Sequence, residues 1–212
     1  MYEESTTKEK ILKKVRKALI HKSAGSVNVD FESAVFHNAE EPLEIIFAQQ
    51  LTKLNGKFIY CENEKELTGN LSILVEENKW DKIFCLEKKA KEVLKKAKIG
   101  FSENEKDVSH VNVGVSLCEF LAARTGSVFV SSRQFSGRRL PAFANYHIVI
   151  AYSHQLVYSI KEALNGIKKR YGNDFPSMIV NISGPSRTAD IEKTLVQGAH
   201  GPKEIYVFLV DE

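Results

Sequence analysis

Apolar residues recur along this chain with two different periods, and the alternation between them outlines its architecture. From Thr6 to His21 the positions Ile11, Leu12, Val15, Ala18 and Leu19 share one helical face, with Thr6 and Glu9 at capping-box spacing. The stretch from His21 to Glu40 has no sustained period. It reads as an irregular arm that packs on the domain or on a neighbour. Pro42 opens a second helix on which Leu43, Ile46, Phe47, Leu51 and Leu54 recur until Asn55 and Gly56 end it. A short apolar run at Lys57–Cys61 predicts the first strand. A helix at Glu64–Asn78, a strand at Lys82–Leu86 and a lysine-rich helix at Lys88–Lys98 follow. Further strands are expected at Val111–Val115, Ser127–Ser131, His147–Ala151, Met178–Ser183 and Ile205–Val210. Helices at Gln155–Arg170 and Thr188–Gln197 separate the last three. Strands alternating with helices predict an α/β domain with a mostly parallel sheet covered by helices, with room for an antiparallel part. The organisation expected is an N-terminal helix and arm over residues 1–40, then one α/β domain over 41–212.

Composition narrows the function classes. At 212 residues and 43% hydrophobic content the chain suits one substantial core. Its formal charge of +3 is small, its lysines are interleaved with acids, and no basic tract alternates with aromatics, so no nucleic-acid partner is expected. No run reaches the ~18 to 20 apolar residues of a membrane span, and the N-terminus is polar where a signal peptide would be apolar. The expected location is the cytoplasm. Cys61, Cys85 and Cys118 are odd in number and form no CxxC pair, which predicts neither a disulfide framework nor a metal cluster. An iron–sulfur cluster normally takes four thiolates, so any such cluster belongs to a partner, and no cofactor is expected in this chain.

In open α/β sheets ligands gather beyond the carboxyl ends of the strands, which directs attention to the loops after the late strands. After Met178–Ser183 come Gly184, Pro185, Ser186, Arg187, Thr188, Ala189 and Asp190, ahead of the expected helix. Gly184 permits an unusual turn, free N–H groups at a helix start favour an anion, and Ser186, Thr188 and Arg187 add side-chain donors to a carboxylate or phosphate. The competing account is plain helix capping, with Asp190 complementing the dipole. At the other end of that helix lies the turn Gly198–Pro202, in which His200 is a second candidate. About ten helical residues separate the two loops by ~15 Å, so one small ligand does not touch both.

Two earlier loops add candidates. Between Ser116 and Gly126, Glu119 is the carboxylate best placed as base or nucleophile. Thr125 and Gly126 form a tight entry to the next strand, and a buried Glu119–Arg124 ion pair is the structural alternative. In Ser136–Pro141, Arg138 and Arg139 form a basic turn suited to an acidic ligand.

Taken together, Gly114 to Gly126, Arg138 to Ile150 and Ile182 to Asp211 resemble the LUD domain of the lactate-utilization protein C family. The most specific piece is Ser183-Gly184-Pro185-Ser186-Arg187-Thr188-Ala189-Asp190-Ile191-Glu192, continued by Leu195 through Glu204. The resemblance covers about the last hundred residues well. It implies a Rossmann-like α/β sheet similar to the ribose-phosphate isomerase and CoA-transferase fold. It also implies a place in bacterial oxidation of L-lactate to pyruvate, beside partners that carry cysteine-rich or iron–sulfur motifs. Where that family commonly has Ala-Glu-Thr-Gly, this chain has Ala123-Arg124-Thr125-Gly126, which shifts attention from that position to Glu119.

Three functions therefore compete. The first is a non-cluster subunit of a lactate-oxidising system that binds a small carboxylate or phosphate-bearing ligand. The second is an autonomous enzyme acting on a sugar phosphate or a CoA thioester with Glu119 as base or nucleophile, which fold alone does not license. The third is a regulatory or interaction module. A homo-oligomer is compatible with each.

Overall fold

The computed structural model describes residues 7–20, 39, 41–104, 111–137, 139–189, 195–197 and 201–211. The chain divides into two units, Met1–Asn38 and Ala39–Glu212. In the first, α1 (Thr7–Ile20) carries the expected stripe, with Ile11, Leu12 and Val15 exposed.

The second unit is built on a five-stranded parallel sheet. Its strands are β1 (Lys57–Cys61), β2 (Ile83–Cys85), β3 (Val113–Leu117), β6 (Tyr146–Tyr152) and β11 (Glu204–Val210), in the order β1-β11-β6-β3-β2. Its inner strands are buried on both faces, as parallel strands are. Alternation decides which side chain goes where: Tyr206, Phe208 and Val210 of β11 join one core, and Ile205, Val207 and Leu209 join the other. The first core is closed by α3 (Glu64–Glu77) through Leu67 and Leu71, and by α4 (Lys88–Lys96) through Ala90, Val93 and Leu94.

The second core is closed by α2 (Leu43–Lys53) through Phe47 and Leu51, together with a smaller mixed sheet. That sheet runs β7-β4-β5-β8, from Leu156–Val157, Phe120–Ala122, Ser127–Ser131 and Ile179–Ile182. Its far face packs Ala122 and Phe129 on Ala163 and Ile167 of α6 (Ile160–Tyr171). A short α5 (Leu140–Phe143) lies against β3, where Gly114 makes room for Leu140.

The α/β fold with a mostly parallel sheet is the one the alternating periods predict. Two helices differ from expectation. The run Gln155–Arg170 yields a helix only from Ile160. Ser159 is the N-cap there, with Glu162 N donating to Ser159 Oγ at 3.2 Å, and the residues before it become a short turn and β7. The expected helix Thr188–Gln197 is absent from its described residues: Arg187–Ala189 is β9 and Leu195–Gln197 is β10, paired antiparallel with Thr188 opposite Val196. Two β-branched residues at paired register positions suit a ladder, and a short apolar run does not by itself distinguish helix from strand.

One polar pair is sealed inside the large sheet. His147 of β6 and Ser116 of β3 are buried, with Nε2 and Oγ 2.8 Å apart, and Nδ1 has no partner among the described residues. Burial pushes this imidazole down to about 4, so it is neutral at physiological pH.

Candidate functional site

All five strands of the large sheet run the same way, so their carboxyl ends share one edge. The chain leaving β2 reaches Glu87, that leaving β3 reaches Cys118 and Glu119, and that leaving β6 reaches His154 and Gln155. These residues line a pocket of about 310 Å³, completed by Lys89, Gln134, Phe135, Arg170 and Tyr171. This is where an open α/β sheet places a ligand.

Glu119 forms part of its floor and is 1% exposed. The turn between β3 and β4 is pinned by Glu119 N donating to Phe129 O at 2.7 Å and by Gln155 Nε2 donating to Cys118 O at 2.6 Å. Its carboxylate receives three donors: Ser131 Oγ at 2.6 Å and Tyr171 OH at 2.7 Å on Oε1, and Arg170 Nη1 at 2.6 Å on Oε2. Arg170 and Tyr171 are the last residues of α6, so one buried acid anchors the end of that helix at the pocket. The Arg170 side chain stays 41% exposed, and its guanidinium also lies 5.1 Å over the Phe120 ring. Burial, and then the bond to Glu119, push the Tyr171 phenol up, which keeps it a donor. With both oxygens engaged, Glu119 is placed to hold these two groups rather than to attack a substrate.

Glu87 is the second acid of the floor, 5% exposed. Both Ser136 Oγ and Ser136 N, the latter at 3.4 Å, donate to its Oε1. Its Oε2 has no partner among the described residues. Burial pushes this carboxyl up from the ordinary carboxylate range, and the Ser136 hydroxyl opposes part of that shift. Above the floor the rim is cationic and aromatic. Lys89 Nζ lies 3.4 Å from the centroid of the Tyr152 ring, and the exposed His154 stacks near Tyr152 at 6.0 Å and 11°. Phe135 stands at the mouth, 81% exposed.

The cysteines lie elsewhere in the chemistry. All three are free and buried, with Cys85 pushed up to about 12 by burial and Cys118 also raised by burial, so neither is an activated thiolate. Among the described residues no group of three or more His, Cys, Asp or Glu side chains is arranged to hold a metal ion.

Of the candidate site residues named from the sequence, Glu119 is the one that lines this pocket among the described residues. A second group gathers at the C-terminal end of α2. Gly126 has φ 57°, and a Cβ there would lie 2.5 Å from Leu51 N; Gly184 has φ 77°, and a Cβ there would lie 2.6 Å from Leu54 O. Arg187 Nη2 donates to the same Leu54 carbonyl at 2.9 Å. Thr125 Oγ1 accepts from Ser127 Oγ at 2.8 Å, which is also 2.8 Å from Ser183 Oγ, and Ser186 N donates to Pro202 O at 2.8 Å. The anion site drawn from a helix start at Gly184–Asp190 loses its premise, because Arg187 and Thr188 enter a β-ladder. Arg139 sits at the foot of α5, 6.0 Å over the Phe143 ring. Arg138, Asp190 and His200, the arm 21–38 and the Thr188 side chain lie outside the described residues. The alternative Glu119–Arg124 pairing is also revised: Glu119 forms its ion pair with Arg170.

Glu87, Lys89, His154, Arg170 and Tyr171 escaped the sequence reading. Glu87 had a signal, since it follows the second predicted strand directly and the strand-end rule applies there as well as to the late strands. For Arg170 and Tyr171 no local signal exists; they read as the solvated end of a helix.

Comparison with known proteins places this chain in a family. Residues 45–210 match the LUD domain. Lactate utilization protein C of Bacillus subtilis (strain 168) is 35% identical over 112 residues, covering 51% of this chain and 47% of that protein. Lactate utilization protein C of Shouchella clausii is 35% identical over 102 residues, covering 48% of this chain and 44% of that protein. The matched segment thus spans about half the length of these curated relatives. Among solved structures, a DUF162 family protein from Deinococcus radiodurans superposes with a TM-score of 0.58 at 14% identity, covering 79% of this chain and 96% of that one.

Proposed function

The chain belongs to the LUD domain family, and on that premise we propose that its pocket holds the carboxylate of a small 2-hydroxy or 2-oxo acid in a lactate-utilization system. Its part there is that of the subunit without a cluster. Partner proteins with iron–sulfur and cysteine-rich motifs accept the electrons as L-lactate is oxidised to pyruvate. The names of its relatives support the pathway. The pocket supports the ligand class, and one observation carries it: buried Glu87 and Glu119 lie beneath a rim of Lys89, His154 and Arg170. Cations at the mouth attract an acid, and the Glu119 carboxylate fixes Arg170 and Tyr171 where they meet it.

The engagement of both Glu119 oxygens weighs against the reading of this residue as the nucleophile of a CoA-thioester enzyme. The proposed setting is cytoplasmic. Among the described residues no helix is long and apolar enough to cross a membrane.

Titration calorimetry of the purified chain with L-lactate, pyruvate and inorganic phosphate tests the reading. Saturable binding of a carboxylate is expected, weakened by Lys89→Gln by about tenfold, equivalent to ~1.4 kcal/mol. Binding of phosphate alone, or carboxylate binding indifferent to Lys89→Gln, overturns it.

A further inference from the structure

The floor of the pocket contains an asymmetry that binding of an acid has to resolve. Glu119 has donors on both oxygens, whereas Glu87 has two donors on Oε1 and, among the described residues, none on Oε2. The backbone N–H of Ser136 is necessarily a donor, so Oε1 acts as an acceptor and the free position for a proton is on Oε2. An ionised Glu87 would leave half its charge without a partner in a buried place and would face an incoming anion with like charge. A neutral carboxyl has neither fault.

We propose that Glu87 is the hydrogen-bond donor of this pocket: its Oε2, closed to solvent in this structure, turns its proton toward an oxygen of the bound carboxylic acid while Ser136 holds Oε1. The inference rests on the reading of the pocket as an acid-binding site and adds the group that selects the ligand. The elevated carboxyl that burial produces at Glu87 agrees with the neutral form. A protonated carboxyl facing a carboxylate forms a short charge-assisted bond. It also discriminates by charge: raising the pH converts the donor into a second anion.

Other titratable and charged groups surround it. Lys89 comes from α4, Glu119 from the β3–β4 turn, Tyr152 and His154 from the end of β6, Arg170 and Tyr171 from the end of α6, and Cys85 lies beneath on β2. Of these His154 is the one imidazole facing the pocket among the described residues, so its effect has to be separated from that of Glu87.

The test is pyruvate affinity measured by calorimetry from pH 5 to pH 9 for the wild-type chain, Glu87→Gln, Glu87→Leu and His154→Gln, each checked for its unfolding midpoint. Glutamine keeps a donor and cannot ionise. Wild-type affinity is expected to fall by about tenfold or more as pH rises, a factor equivalent to ~1.4 kcal/mol. Glu87→Gln should bind within about threefold of the low-pH wild type and be flat at high pH, while His154→Gln retains the decline. Glu87→Leu should lose binding throughout; if it does not fold, Glu87→Gln carries the comparison alone. Parallel pH profiles for wild type and Glu87→Gln overturn the role of Glu87 while leaving the acid-binding site intact. Wild-type protein that binds neither pyruvate nor lactate at any pH overturns the site itself, and the inference with it.

Discussion

Two polar clusters of this protein differ in what their hydrogen-bonding groups are left to do. At the end of α2, Thr125, Ser127, Ser183 and Arg187 bond to one another or to the Leu54 carbonyl, and Gly126 and Gly184 press against helix backbone. At the carboxyl edge of the large sheet, Glu119 is equally well bonded, but Glu87 keeps an oxygen without a partner among the described residues, and Lys89, His154 and Arg170 border an open pocket. The first cluster is a joint between a helix and a sheet. The second has polar capacity left over in a space large enough to use it. Density of Gly, Ser and Thr in a sequence therefore signals close backbone approach at least as readily as ligand binding.

The comparison breaks most visibly if the joint proves dispensable. Gly184→Val combines a positive φ with a contact onto the Leu54 carbonyl, and is expected to cost about 3 kcal/mol or more, or to prevent folding. Denaturant unfolding of Gly184→Ala and Gly184→Val measures this. Pyruvate binding per folded molecule should be unchanged, and a stable variant that has lost binding would return this loop to the ligand site.

The sealed Ser116–His147 pair gives the next effect, by a route independent of either cluster. A histidine whose folded value is lowered from 6.5 to about 4 contributes stability that is complete above pH 6.5 and is lost as pH falls toward 4. The loss is about 3 kcal/mol across that window. His147→Gln should remove this acid slope from a plot of unfolding free energy against pH. Glu87 acts with the opposite sign. Its raised value means stability is complete at low pH and lost as pH rises through the folded value, so Glu87→Gln should be relatively more stable on the alkaline side.

A smaller effect sharpens the contrast at the pocket floor. Glu119→Gln removes the charge facing Arg170 but keeps an acceptor for Ser131 or Tyr171. Because the Arg170 side chain is 41% exposed, water replaces part of the lost ion pair, and a cost of about 1 to 2 kcal/mol is expected. Weaker pyruvate binding should accompany it, since Arg170 and Tyr171 lose their anchor. Unaltered affinity with lowered stability would make Glu119 structural only. The smallest effect belongs to Arg187→Ala, which deletes one exposed bond to the end of α2 and should cost under about 1 kcal/mol, with pyruvate affinity intact. Lost affinity at full stability would merge the two clusters into one site.

What the sequence determined by itself was the repeating layer of the fold. Short apolar runs placed all five strands of the large sheet, with shifts of up to two residues at their ends, because burial on both faces imposes a local composition that needs no knowledge of neighbours. The apolar stripes of α2, α3 and α4 were legible for the same reason. Tertiary structure decided where a local pattern was ambiguous. Leu195, Val196 and Gln197 fit a helix until Arg187, Thr188 and Ala189 come alongside as a strand. Glu119 was recognisable as a carboxylate after an apolar run, but its partners stand 12, 51 and 52 positions away, at Ser131, Arg170 and Tyr171. Glu87 and Ser136 are 49 positions apart and meet only because β2 and the segment leading into α5 are brought together at one edge of the molecule. Periodicity is a property of a dozen consecutive residues, whereas a pocket is a property of chain ends converging in space. The residues that line it carry no common spacing, and folding of the sheet is what makes them neighbours.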